Sequence, residues 1–250
     1  MTQKSKKIFK KSKKNDKAYF LYGKHPVKMA LINQKRQNYK LYVTKKLFEE
    51  FLPIANNVEV QIVDENFCDQ YAESSSNHQN VILETTRLTQ PCLEDFITNK
   101  DARLIFILDQ VHDPHNIGAI LRTAAAFNFD CVINSAINSP DETAVMAKSS
   151  SGAIETVPYI KVKNIKSTID YLKKNGFWCY GLDANGKHNL EKKIEEKVCL
   201  VLGSEGKGLR TLVKETCDDL LRIPISQNAE SLNISNAAAV AGYCFCNLKN

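Results

Sequence analysis

Short runs of apolar residues alternate with helical periodicity along the second half of the chain. The runs are of the kind found in parallel strands buried on both faces, and they cover residues 103–108, 131–133, 177–180, 198–202 and 220–225. Apolar residues at helical spacing predict helices between and after these strands, at residues 116–127, 141–149, 165–174, 208–217 and 232–246. Strands that alternate with helices predict an α/β fold on a parallel sheet, which we assign to residues 101–250.

The preceding part of the chain has the same alternation in shorter elements. We expect strands at residues 19–22, 41–43, 58–63 and 81–83, and helices at residues 26–32, 47–55 and 65–72. These elements predict a small α/β domain over residues 18–84. Residues 85–100 have weak periodicity and are interpreted as a linker with a short helix at 93–97.

Charge is distributed unevenly. Residues 1–17 hold eight lysines and one aspartate, a net charge of +7, whereas the other 233 residues hold 26 basic and 27 acidic side chains. Such a segment cannot bury a core, so we expect a disordered basic tail. It is either an arm that neutralises phosphates or a solubility tail. A mitochondrial presequence is a third option, although such a segment prefers arginine and an amphipathic period. The small domain holds further cations, which form either a solvated face or an RNA-facing edge: Lys24, Lys28, Lys35, Arg36, Lys40, Lys45 and Lys46.

The composition is that of a globular protein, with 43% hydrophobic and 25% charged residues. No stretch has the length of apolar sequence that a membrane helix needs, and the N-terminus lacks the apolar core of a signal peptide. We therefore expect a cytoplasmic protein. The eight cysteines include no Cys-x-x-Cys pair, and reduced, mostly buried thiols are favoured over a metal site at Cys244 and Cys246.

Three polar loops follow predicted strands, and ligands gather at such loops in open α/β sheets. In the first loop, Asp113-Pro114 predicts a turn and Asn116 a helix N-cap. Arg122 is the only charged residue from 114 to 129. It is either part of a buried ion pair or presented to an anionic or reacting substrate.

The second loop, Gly203-Ser-Glu-Gly-Lys-Gly208, has three glycines, which allow a ligand to approach the backbone. Its spacing fits neither the dinucleotide-binding motif nor a P-loop, so a nucleotide-dependent dehydrogenase is disfavoured. Glu205 is the polar group at its tip. The third loop runs from Ile223-Pro-Ile225 to Ser231, Asn233 and Ser235, which can cap the last helix or bind a ligand.

In this order, the three segments resemble the motifs of the SpoU/TrmH-like RNA ribose methyltransferases of the SPOUT superfamily. The resemblance covers about 150 residues, and Tyr22-Gly-Lys-His-Pro-Val27 with His78-Gln79 resembles the small RNA-binding domain of that family. It implies a C-terminal trefoil knot, a ribosomal-protein-like N-terminal domain, a homodimer and S-adenosylmethionine as cofactor. By position it implies two sets of site residues. The cofactor-binding set is Leu202, Gly203, Ile223, Pro224 and Leu232. The catalytic set is Asn116, Arg122, Glu205, Ser231 and Asn233.

The resemblance implies methyl transfer to a ribose 2′-hydroxyl of structured RNA without a metal. Arg122 is expected to act as a base or, more easily, to fix a phosphate and stabilise an oxyanion. Asn116 is expected to orient Arg122 or the ribose, and Glu205 to hold its loop or pair with Arg122. Ser231 and Asn233 would shape the cofactor pocket. A guanosine of large-subunit ribosomal RNA is the favoured substrate. Transfer RNA and a non-catalytic RNA-binding role are the alternatives.

Overall fold

A computed structural model of the protein describes residues 18–71, 78–191 and 196–246. The expected basic tail at residues 1–17 lies outside this range. The described residues form two sheets, one of four strands and one of seven strands.

The smaller sheet is mixed. Its strands have the order β1-β4-β2-β3, and only β2 and β3 are parallel. The strands are β1 (Ala18–Tyr22), β2 (Asn38–Thr44), β3 (Glu59–Val63) and β4 (Val81–Thr86). The helices are α1 (Lys24–Ile32), α2 (Lys45–Phe51) and α3 (Glu65–Cys68). These elements occupy the predicted positions, except that α3 ends at Cys68 and a 3-10 turn over Leu52–Ile54 continues α2.

The larger sheet is wholly parallel, as predicted, and has the order β7-β6-β5-β10-β8-β11-β9. Its strands are β5 (Leu104–Asp109), β6 (Cys131–Ser135), β7 (Tyr159–Val162), β8 (Trp178–Leu182), β9 (His188–Asn189), β10 (Val198–Gly203) and β11 (Asp219–Arg222). The sequence pattern missed the two edge strands β7 and β9. They are four and two residues long, too short for a recognisable period.

Helices cover both faces of this sheet. They are α4 (Leu93–Asn99), α5 (Pro114–Ala126), α6 (Ala144–Ser149), α7 (Ile165–Lys174), α8 (Thr211–Thr216) and α9 (Ile234–Phe245). Alternate residues of β5 face opposite ways, so that Phe106 packs with α5, α6 and α9 while Ile107 packs with α4, α7 and α8. The sheet is therefore buried on both sides, and its loops are left at the carboxyl edge. No helix of the described ranges has the length and apolar character needed to cross a membrane.

The N-terminus of α5 differs from the prediction. Asp113 is the N-cap, since its side chain accepts a hydrogen bond from the His115 backbone N–H at 3.0 Å. Pro114 takes the first helical position, where its missing N–H costs nothing. Asn116 is therefore inside the first turn, and its side chain is available for other contacts.

The two sheets are joined through a buried ionic cluster around Arg36. The Arg36 guanidinium, with a wholly buried side chain, contacts Glu142 at 2.7 Å and Glu155 at 2.8 Å. It also donates to the Thr86 carbonyl at 2.6 Å, and the Tyr19 hydroxyl donates to Glu142. Arg36 therefore belongs to neither a solvated face nor an RNA-facing edge, because its guanidinium is buried between two carboxylates.

Candidate functional site

A cleft of about 430 Å³ opens at the carboxyl edge of the parallel sheet. It lies where the adjacent strands β10, β8 and β11 end, and the loop after each of them lines it. Its apolar wall is formed by Leu182, Leu202, Leu221, Ile223, Leu232 and Ile234. An apolar wall with a few convergent polar groups is typical of a small-molecule site.

The loop after β10 requires glycine at its first position. A Cβ at Gly203 would lie 2.1 Å from the carbonyl carbon of Gly208, because the loop closes on itself through a bridge between Ser204 and Gly208. Gly206 and Gly208 have φ angles of +78° and +66°, which glycine adopts without strain. The result is a tight turn whose backbone forms one side of the cleft.

Polar side chains from all three predicted loops meet at the mouth of this cleft. The Glu205 carboxylate accepts hydrogen bonds from the Asn116 side-chain amide at 3.0 Å and from the Asn233 side-chain amide at 2.6 Å. The Asn233 side-chain amide also donates to the Asn116 side-chain oxygen at 3.2 Å. The Asn233 side-chain oxygen caps α9 by accepting from the Ser235 backbone N–H. We call Asn116, Glu205 and Asn233 the amide–carboxylate cluster. It fixes the glycine loop relative to α5 and α9.

A buried aspartate, which sequence reasoning missed, anchors the far end of the same loop. Asp109, the last residue of β5, is fully buried and contacts the Arg210 guanidinium at 2.7 Å. Its carboxylate also accepts from the Arg210 backbone N–H at 3.1 Å. An acidic residue that ends an apolar strand beside a loop was the signal that could have identified it.

Most of the residues predicted to hold a cofactor surround the cleft. Leu202, Gly203, Ile223 and Leu232 line it, as does Ser231 of the catalytic set. Pro224 is exposed and does not line the cleft, although its neighbours Ile223 and Ile225 do.

Arg122 is separated from the amide–carboxylate cluster in the single chain. It follows Asn116 by six residues on α5, a rotation of about 240° and a rise of about 9 Å. Its side chain is exposed, and no residue of the described ranges forms a hydrogen bond or ion pair with it. The buried ion pair considered above is therefore wrong.

The sequence also failed to identify a fourth loop of the cleft, the turn after β8. Asp183, Ala184 and Asn185 line the cleft between the loops of β10 and β11, and Lys214 of α8 lies beside them. The Asp183-Ala-Asn-Gly186 segment follows an apolar run and has the composition of a turn. The signal was the same as for the other three loops.

The cysteines lie apart from the cleft lining, and all are free thiols. Four are buried, three are half-buried and Cys92 is exposed. Burial raises the pKa of Cys217 to about 12, which keeps this thiol protonated and poorly nucleophilic. Within the described residues, no three His, Cys, Asp or Glu side chains lie close enough together to hold a metal ion.

Two family models match the chain. The SpoU rRNA Methylase family model matches residues 103–243, and the model for RNA 2′-O ribose methyltransferase substrate binding matches residues 20–91. The first range includes the parallel sheet with its cleft, and the second includes most of the smaller mixed sheet.

Curated relatives match over nearly the whole chain. The 23S rRNA (guanosine-2′-O-)-methyltransferase RlmB of Vibrio vulnificus (strain CMCP6) is 34% identical, covering 88% of this chain and 93% of that protein. A putative TrmH family tRNA/rRNA methyltransferase of Staphylococcus aureus (strain COL) is 36% identical, covering 89% and 93%.

Solved structures have the same fold. The SpoU methyltransferase AviRb from Streptomyces viridochromogenes, in complex with AdoMet, aligns with a TM-score of 0.78 at 20% identity, covering 91% of this chain and 89% of that one. A putative RNA methyltransferase of the TrmH family from Porphyromonas gingivalis aligns with a TM-score of 0.70 at 26% identity, with the same coverage. The resemblance inferred from the three motifs is thus confirmed, and the chain belongs to the SpoU rRNA methylase family.

Proposed function

We propose that the protein transfers a methyl group from S-adenosylmethionine to a ribose 2′-hydroxyl of structured RNA. The observation that carries this proposal is the amide–carboxylate cluster at the mouth of the cleft, where residues of three loops meet. The family assignment and the names of the full-length relatives support the reaction type.

The cleft suits this cofactor in size and in charge. Its volume lies in the range of small-molecule sites, and its apolar wall suits an adenine ring. The lining holds three carboxylates, those of Asp183, Glu205 and Glu230, against the ammonium groups of Lys207 and Lys214. A net negative lining favours a ligand that carries a positive sulfonium. When bound, S-adenosylmethionine supplies a methyl group that the sulfonium already activates.

The protein must then position the ribose and stabilise its oxygen. A guanidinium remains charged at neutral pH, so Arg122 stabilises the developing oxyanion and fixes a neighbouring phosphate. The amide–carboxylate cluster fixes the relative positions of α5, the glycine loop and α9, and Asn116 orients the ribose. Ser231 and Asn233 shape the cofactor pocket.

We propose further that the protein is a homodimer in which Arg122 acts on the cleft of the other subunit. Val240 and Tyr243 of α9 are 41% and 69% exposed, and Tyr243 packs on Phe127 just after α5. Together they form an exposed apolar face on α9, which packs against α5, the helix that carries Arg122. A second copy seated there would bury this face and bring its own Arg122 toward the cleft, which this chain's Arg122 does not line.

A trefoil knot at the C-terminus is part of the same proposal. From the glycine loop the chain continues through α8 and β11 near the sheet edge, and it returns as α9 to pack on α5 and β10. Such a return through neighbouring loops brings the three site loops together.

Large-subunit ribosomal RNA is the substrate we favour, with a guanosine as the target. The relatives named for this activity match across both sheets, at 88% of this chain. Ribosomal RNA as substrate also implies a cytoplasmic location. Transfer RNA remains the alternative, because relatives named for both RNAs match equally far along the chain.

Replacing Arg122 tests the catalytic part of the proposal. Arg122→Ala should abolish transfer of labelled methyl to RNA while affinity for S-adenosylhomocysteine stays within about twofold of wild type. Arg103→Ala, which removes an exposed arginine distant from the cleft, serves as control. Full turnover by Arg122→Ala would eliminate the proposed role.

Mixing two inactive variants tests whether Arg122 acts across the dimer. Arg122→Ala has an intact cleft, and Gly203→Val has a blocked cleft with an intact Arg122. After subunit exchange at equal ratio, action across the interface restores about a quarter of wild-type activity, since half of the dimers hold one complete site. Action within one chain restores none.

A further inference from the structure

A charged pair lies in the wall of the cleft at the turn after β8. The Asp183 carboxylate and the Lys214 ammonium group are 2.6 Å apart, with side chains 7% and 32% exposed. Both residues line the cleft. Within the described residues, none of those predicted as catalytic or cofactor-binding forms a hydrogen bond or ion pair with this pair.

Hydrogen bonds hold Asp183 in place from two sides. Its backbone N–H donates to the Leu221 carbonyl of β11 at 3.0 Å. Its carboxylate accepts from the Asn185 backbone N–H at 2.9 Å, which shapes the turn. The carboxylate is therefore positioned before any ligand binds, and each of its oxygens can accept a further hydrogen bond.

An ion pair that only stabilises the packing of a helix against the sheet does not need to lie inside the cleft. Lys173 and Asp218 form a comparable pair at 2.8 Å, which joins α7 to the segment before β11. That pair does not line the cleft. The two pairs have similar N–O distances, but only Asp183 and Lys214 face the cleft.

The other charges of the cleft lining are arranged differently. Glu205 is bound in the amide–carboxylate cluster, and Lys207 and Glu230 are on exposed loop positions. Among the described residues that line the cleft, Asp183 and Lys214 form an anion and a cation in direct contact. A ligand end that carries both charges on neighbouring atoms matches such a pair.

We propose that Asp183 and Lys214 bind the α-amino acid end of the methyl donor. Lys214 binds the carboxylate, Asp183 binds the ammonium group, and the apolar wall holds the nucleoside. Both charges of the ligand then have partners beside the apolar wall of the cleft, where an unpaired charge is costly. This inference rests on the proposed function, because it specifies how the same cleft selects its cofactor.

Isothermal titration of the full chain with two nucleosides tests the inference. S-adenosylhomocysteine has the amino acid end, and 5′-methylthioadenosine lacks it. Asp183→Asn keeps the acceptor for the Asn185 N–H. This variant and Lys214→Met should each lower the affinity for S-adenosylhomocysteine by about tenfold or more. Affinity for 5′-methylthioadenosine should stay within about twofold. Lys214→Arg should restore most of the lost affinity.

Decarboxylated S-adenosylmethionine assigns the two contacts individually. This ligand lacks only the carboxylate, so Lys214→Met should leave its affinity within about twofold while Asp183→Asn still weakens it. Lys173→Met, which breaks the comparable pair outside the cleft, is the matched control and should change no affinity. Thermal unfolding of each variant verifies that the fold is kept.

Three outcomes would overturn the inference: equal losses for both nucleosides, no loss for either, or the same loss in Lys173→Met. A wild-type chain that binds S-adenosylhomocysteine in these cases leaves the proposed function standing. A wild-type chain that binds none of the nucleosides refutes the proposed function, and the inference with it.

Discussion

Removing Arg36 should destabilise the protein strongly, because this side chain is the cation between two buried carboxylates. Glu142 and Glu155 have side chains 5% and 2% exposed, and both contact the wholly buried Arg36 guanidinium. Arg36→Met keeps most of the volume and leaves these carboxylates without their partner. Breaking a buried pair in this way costs about 3–5 kcal/mol, a large part of the roughly 5–15 kcal/mol by which most domains are stable.

The loss should also depend on pH. Burial raises the pKa of Glu155 despite the opposing effect of Arg36. The folded state therefore retains a proton that the unfolded state releases, and its stability falls as pH rises above the ordinary carboxyl range. Without Arg36 this pKa rises further. Arg36→Met should therefore lose more stability relative to wild type at about pH 8 than at about pH 5.

Urea unfolding followed by circular dichroism measures both effects. Arg103→Met is the control, since its ion pair with Asp101 has side chains 57% and 68% exposed and should contribute less than about 1 kcal/mol. A loss in Arg36→Met as small as in the control, or a loss that grows toward low pH, would refute the reasoning.

Three further predictions concern packing and assembly. Gly203→Ala should lower the affinity for S-adenosylhomocysteine by more than about tenfold in calorimetry, because the new Cβ would lie 2.1 Å from the carbonyl carbon of Gly208. Unchanged affinity would show that this turn does not need glycine to form the cleft. Gly118→Ala should lower the free energy of unfolding by about 1–3 kcal/mol, since its Cβ would meet the Met146 carbonyl at 2.5 Å; no loss in urea unfolding would show that α5 and α6 separate easily. Tyr243→Asp should convert the proposed homodimer to a monomer in analytical ultracentrifugation, and a dimer that persists would exclude this face as the interface.

Much of the fold follows from local pattern. Helix α7 is found at residues 165–174 as predicted, because its apolar residues keep a helical period and Asn164 caps it by accepting from the Ser167 N–H. Strands buried on both faces, such as β5 and β10, are recognisable from continuous apolar runs. Boundaries were less accurate where two residues could cap the same helix, as Asp113 and Asn116 illustrate.

Contacts between distant segments could not be inferred from the sequence. Arg36 looked like one cation among seven, and only the fold brings it against Glu142, which lies 106 residues away. Asp183 and Lys214 meet for the same reason, since β8 and α8 are separated in sequence and adjacent in space. Composition records such residues as charged and does not record their partners.

The candidate site was partly predictable because a resemblance supplied the positions. Glu205, Asn116 and Asn233 were identified by motif, and the fold brings them within hydrogen-bonding distance. Arg122 was identified by the same motifs, yet it lies away from this cluster on an exposed helix face. This exposed position is the reason for our proposal that Arg122 acts on the cleft of a second subunit.

The most direct measurement is to incubate the protein with ribosomal RNA and S-adenosylmethionine labelled in its methyl group, and then to map the labelled nucleotide. We expect label on a single ribose 2′-oxygen, at a guanosine of large-subunit RNA, and no label with Arg122→Ala. Label on a base, or no transfer to any RNA by a chain that binds the cofactor, would contradict the proposed reaction.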